Sequence, residues 1–111
     1  MAVIKKYILH YKADIRSGRF AANFPAYIHG YDKNEKHVLT CVFFEQPDAV
    51  LPENKMVDGV VSMYFTIAKF CLVLDLFRNE SPVKFMYDTD GKDCTLITEK
   101  EPVGEGEGLH L

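Results

Sequence analysis

TIAKFCLVLDLFRN, residues 66–79, decides the fold, because its apolar residues recur with a clear helical period. At about 100° per residue, Ile67, Phe70, Val73, Leu74 and Phe77 form one continuous arc, with Cys71 at its edge. Lys69, Asp75 and Asn79 lie outside the arc, and Arg78 falls on its rim. Thr66 is the expected N-cap, and Arg78 suits the negative end of the helix dipole. Asn79 is the expected left-handed terminator, with Pro82 discouraging further winding. Leu72 and Leu76 project from a second side. Either a neighbouring loop or strand covers them, or they form a contact between two copies of the chain.

The residues around this helix read mainly as strand. After it, residues 82–87 and 92–98 form a hairpin around Thr89-Asp90-Gly91, where Asp-Gly is a strong turn signal. Before it, residues 59–65, GVVSMYF, make a strand leading into the helix. In residues 36–45, His37, Leu39, Cys41 and Phe43 alternate with Val38, Thr40, Val42 and Phe44. Both sides are largely apolar, so the reading is a central strand covered on each face. Residues 46–58 hold two prolines and read as a long loop.

Residues 20–31 read as strand, with Pro25 marking an edge or bulge. Arg16-Ser17-Gly18-Arg19 and Asp32-Lys33-Asn34-Glu35 read as turns. Residues 3–15, VIKKYILHYKADI, fit one strand by composition. A helix is the rival, since Val3, Ile4, Tyr7, Ile8, Tyr11 and Ile15 would share a face. The whole gives an α+β domain over residues 1–98, a curved, mainly antiparallel sheet of order ββββαββ packed on a single helix. Residues 99–111, EKEPVGEGEGLHL, form an acidic Gly/Glu-rich C-terminal tail.

The chain has 111 residues, enough for one core, and 48% of them are hydrophobic, which excludes a disordered class. The net charge of −3 argues against a non-specific nucleic-acid binder. No signal peptide is read in residues 1–12, and the apolar stretch at 59–76 is broken by Ser62, Thr66, Lys69 and Asp75, so no membrane span is expected. Cys41, Cys71 and Cys94 match no zinc spacing and no CxxC, and they read as inert thiols in a reducing, cytoplasmic compartment.

No catalytic motif stands out. Ser62 lies in VVSMY and not in a GxSxG elbow. His10, His29 and His37 fall on three consecutive expected strands and could meet on one face, where three histidines and an open position would suit zinc. No short HxH or HxxxH spacing supports that, so no metal and no cofactor is assigned. Asp88, Asp90 and Glu99 fit positions of a calcium loop, but Lys92 and Asp93 stand where an oxygen ligand and a glycine are needed. An acidic hairpin turn is the better reading.

The chain therefore reads as a small binding or interaction module rather than an enzyme, with a homodimer contact at Leu72 and Leu76 as its first candidate site. A protein partner is compatible with the same stripe. The second candidate is single-stranded nucleic acid, held by Lys5, Lys6, Tyr7, Tyr11 and Lys12, where cations would meet phosphates and rings would meet bases. Arg78, Asn79 and Glu80 with Pro102 and Gly104 form the third. They are either a helix stop whose arginine pairs with a carboxylate, or a small polar site where helix end, tail and the 46–58 loop converge.

Overall fold

The computed structural model describes residues 2–17, 25–45, 50–80 and 82–98. Among these, eight strands and one α-helix form two sheets. The elements are β1 (Val3–Ile8), β2 (His10–Ile15), β3 (Ala26–Tyr31), β4 (His37–Phe44), β5 (Lys55–Val57), β6 (Val60–Thr66), α1 (Phe70–Asn79), β7 (Val83–Asp88) and β8 (Cys94–Thr98). A 3-10 turn, Ile67–Lys69, joins β6 to α1. One sheet has the order β1-β7-β8 and the other β2-β3-β4-β6-β5. All pairings are antiparallel except β4 with β6.

The α+β class and the mainly antiparallel character follow the sequence reading; the single sheet does not. The expected strand at residues 3–15 breaks at Leu9, whose N–H donates to the Tyr31 carbonyl at 2.9 Å. Its first half pairs with β7 and its second with β3. One nearly continuous strand thus switches sheets, a common way to turn a corner between packed sheets. The loop expected at 46–58 also contains β5, too short to carry a pattern of its own. It pairs with β6 through Lys55, Met56 and Val57. The strand expected at 20–31 is described only from Pro25 onward.

The inner rows of the larger sheet are apolar by register. Ala26, Phe43 and Phe65 make one row; Ile28, Cys41 and Met63 the next; Gly30, Leu39 and Val61 the third. The expected strict alternation of β4 fails at its start. Tyr31 faces His37 while Gly30 faces Leu39, so Val38 is an extra residue. This bulge sends Val38 and Leu39 both into the core, where each is fully buried. It also moves His37 to the outer face with Thr40, Val42 and Phe44. On that face Val42 is buried and is flanked in register by Tyr27 and Tyr64.

The helix buries Val73 and Phe77, and Ile67, Phe70, Leu74 and Leu76 pack against the same core. Phe70 meets Phe43 edge to face at 5.1 Å, and Phe77 stacks on Tyr11 at 5.8 Å. From the smaller sheet, Ile8, Val83, Phe85 and Tyr87 complete that core. Two expected caps are corrected. Thr66 makes no capping hydrogen bond and precedes the 3-10 turn, so α1 starts later, at Phe70. Asn79 is the last helical residue, and Glu80 leaves in an extended conformation with φ −116°. The helix therefore stops by straightening and not by a left-handed turn.

The β7–β8 hairpin forms where Asp-Gly places it. Asp88 Oδ1 accepts from the N–H groups of Asp90 at 2.9 Å and Gly91 at 3.2 Å. The positive φ falls on Lys92, at 66°, and not on Gly91.

Candidate functional site

A groove of about 600 Å³ runs beside β1 and the β3–β4 turn. Lys5, Lys6, Tyr7 and Leu9 line it from the strand. Asp32, Lys33, Asn34 and Lys36 line it from the turn, and Pro82 closes one end. Lys5 and Tyr7 leave one face of β1 and Lys6 the other, since side chains alternate along a strand. They can share a groove only because it follows the open edge of β1, which among the described strands pairs with β7 alone.

The turn is held rigid by its own aspartate. Asp32 Oδ1 accepts from the N–H of Asn34 at 2.8 Å and of Lys36 at 3.0 Å. The Asp32 N–H donates to the Lys36 carbonyl, and Glu35 takes a φ of 61° to close the loop. The Lys36 amide, then the Asn34 amide and the nearby Lys36 and Lys6 charges, hold the Asp32 carboxyl below its ordinary pKa. The Lys36 Nζ reaches toward Gly59, 3.9 Å from where a Cβ would stand. Lys84 adds a cation beside the groove, its Nζ 5.8 Å from the centre of the Tyr7 ring.

The candidate nucleic-acid residues are therefore divided. Lys5, Lys6 and Tyr7 come together in the groove. Tyr11 turns to Phe77, and Lys12 lies opposite His29 on the outer sheet face. Sequence reasoning missed Lys33, which it took for part of a polar turn, and Lys36, which it took for the first residue of the next strand. The signal was their charge, but the turn comes beside β1 only once β2, which follows β1 directly, pairs with β3 and Leu9 bonds Tyr31.

The outer face of the larger sheet carries a chain of rings. Arg16 lies 4.4 Å over the Tyr27 ring, Tyr27 runs parallel to His29, and His29 meets His37 at 5.3 Å. Tyr31 follows at 5.5 Å from His37. This brings two of the three strand histidines together, whereas His10 lies opposite Tyr31. Both are already engaged. His29 Nε2–H donates to Asp14 Oδ2 at 3.2 Å. His37 Nε2–H reaches the Leu39 carbonyl at 2.9 Å and Thr40 Oγ1 at 2.8 Å. A carbonyl only accepts, so that nitrogen carries its proton and offers no lone pair to a metal. Among the described residues no group of three or more His, Cys, Asp or Glu is placed to hold a metal ion.

Leu72 and Leu76 separate as well. Leu76 packs against the core, and Leu72 is 65% exposed. Both line an apolar groove of about 330 Å³ between α1, β6 and β8, with Met63, Phe65, Cys94 and Leu96. Arg78, Asn79 and Glu80 line a smaller cleft of about 180 Å³ against β1 and β2. Arg78 pairs with Asp75, one turn earlier on its own helix, and the tail carboxylates lie outside the described residues. Pro102 and Gly104 lie outside the described residues.

Of the cysteines, Cys41 is buried and its thiol pKa is driven far up by burial, with Cys94 adding to the effect. Burial pushes Cys94 up to about 11, so both remain thiols at neutral pH. Cys71 is exposed on α1.

The class so defined is a two-sheet α+β domain with a lysine-rich groove at a sheet edge. No helix among the described residues is long and apolar enough to cross a membrane. Compared with protein-family models, curated proteins and solved structures, the chain has no significant match.

Proposed function

We propose that the protein is a non-enzymatic binding module whose ligand is single-stranded nucleic acid, held in the β1 groove. The supporting observation is the meeting of Lys5, Lys6, Lys33 and Lys36 with Tyr7 and Leu9 in one open channel. Lysines there would meet phosphates, and Tyr7 would offer a ring to a base. The overall negative charge does not oppose this. Residues 99–111 contain four glutamates and one lysine, so they carry the whole net charge of −3 and leave residues 1–98 balanced. The positive charge at the groove is therefore local.

The test is fluorescence anisotropy with a labelled oligothymidylate of about a dozen nucleotides, a length matched to single-strand sites. With three to four phosphates neutralised, log K should fall against log salt with a slope of about −2 to −3. That is roughly a 20- to 50-fold loss between 50 and 200 mM salt. Lys5→Ala, Lys6→Ala and Lys33→Ala should each flatten the slope by about 0.7. Absence of binding at low salt overturns the proposal.

A second reading is a homodimer, favoured by the apolar groove that runs to the exposed Leu72. Light scattering tests it. A monomeric mass at micromolar concentration removes it, whereas a salt-independent dimer dissociated by Leu72→Glu sustains it.

A further inference from the structure

The lysine groove and the last residue of β8 belong to the same end of the molecule. Thr98, the last residue of β8, stands opposite Val83 of β7, and Val83 stands opposite Ile8 of β1. The chain therefore passes into residues 99–111 two strand spacings from β1, about 10 Å away. It does so beside Pro82, Tyr7 and Leu9, which line that end of the groove. Glu105 lies seven residues beyond Thr98, and seven residues of chain can reach at most about 24 Å. The reach is ample without any strain.

Charge is complementary. Glu99, Glu101, Glu105 and Glu107 alternate with other residues over a short span, and the groove offers lysines from two separate elements. The apolar groove beside β8 is equally within reach. Four carboxylates within nine residues would be desolvated there without partners, which is costly.

We propose that the acidic segment, residues 99–111, occupies the β1 groove in the free protein, and that nucleic acid binds by displacing it. The identity of the competitor rests on the proposed function; the docking of the tail does not. Tethering supplies the affinity. A short linker holds the tail at an effective concentration of roughly 1 mM, so a tail–groove dissociation constant of roughly 0.1 mM would weaken an external ligand about tenfold. Because the contact is ionic, salt loosens the tail and the oligonucleotide together. The apparent salt slope of the intact protein is then shallower than that of a protein with a neutral tail.

The experiment uses the full chain with Glu99, Glu101, Glu105 and Glu107 all changed to Gln. A control of equal charge carries Glu45→Gln, Glu53→Gln, Asp58→Asn and Asp93→Asn, all exposed and outside the groove lining. Amide resonances are compared first, without nucleic acid. Neutralising the tail should shift Lys5, Lys6, Tyr7, Lys33 and Lys36, and the control should not. Shifts confined to Leu72, Leu76, Cys94 and Leu96 would place the tail in the apolar groove and overturn the proposal. No shift in either region overturns it too. Oligothymidylate affinity is read second. The neutral-tail protein should bind about tenfold more tightly at low salt and the control far less so. Groove shifts without oligonucleotide binding by either protein would keep the docked tail and remove nucleic acid as its competitor. Equal binding by wild type and the neutral-tail protein would keep nucleic acid and remove the competition.

Discussion

At His29 two influences oppose each other. Burial in the sheet is the largest single influence and lowers its pKa, against the Asp14 carboxylate, which accepts its proton and raises it. The nearby His37 and Lys12 charges lower it further. A histidine whose folded pKa lies below its unfolded value of about 6.5 is bound by fewer protons in the native state. Its neutral form then favours folding above that pH, and the benefit is lost as pH falls through the folded pKa. Stability in urea should thus decrease as pH falls below about 6.5, and His29→Gln should flatten the decline. Asp14→Asn removes the influence that raises the pKa, so the His29 ring should titrate lower still in a proton NMR titration. An unchanged or higher value in Asp14→Asn would show that the carboxylate is not its partner in solution. None of this was readable from the sequence. The spacing of His29 and Asp14 says nothing until β2 and β3 pair, and the same pairing puts Lys12, rather than His10, across from His29.

Elements were legible where pattern and local chemistry agreed. The Phe70, Val73 and Phe77 arc and the Asp90-Gly91 turn carry their own signals, and both formed where expected. The break at Leu9 carried none, because residues 3–15 contain no glycine or proline to mark it. What bends the chain there is tertiary. Gly30 of β3 sits under Ile8, and a Cβ at this position would stand 2.9 Å from Ile8 Cγ2 and 3.4 Å from Leu39 Cβ. Both neighbours are buried and have little room to yield. Gly30→Ala should therefore destabilise the protein by about 1–3 kcal/mol, the usual cost of overpacking. Gly91→Ala is the contrast. Its new methyl would meet the Asp88 carboxylate at 3.1 Å in an exposed turn that can shift, so the cost should stay within about 0.5 kcal/mol. Urea midpoints of the two variants distinguish a packed crossing from a general intolerance of alanine. The groove was half legible for the same reason. Lys5, Lys6 and Tyr7 stand out as a basic aromatic run, whereas Lys33 and Lys36 join them only through the crossing.

On the scale of the molecule, the strand that switches sheets ties two small units into one. The three-stranded sheet of β1, β7 and β8 depends on its apolar face being covered, and its Ile8, Val83, Phe85 and Tyr87 are buried in the cluster that also holds Ile28, Leu39, Cys41 and Phe43. Helix α1 contributes Val73 and Phe77 to that one cluster. Opening either sheet should expose apolar surface of the other, so neither opens cheaply. Native-state hydrogen exchange should then give the amides of Phe85 and Cys41 the same opening free energy, within about 0.5 kcal/mol, although they lie in different sheets. Leu9→Pro removes the N–H that bonds Tyr31 at the junction. It should lower protection in both sheets together, because the lost bond belongs to the strand they share. A variant in which β1, β7 and β8 lose protection while β3 and β4 keep theirs would show two separable units. The groove would then depend on an edge that opens independently of the core, and ligand binding would have to order that edge first.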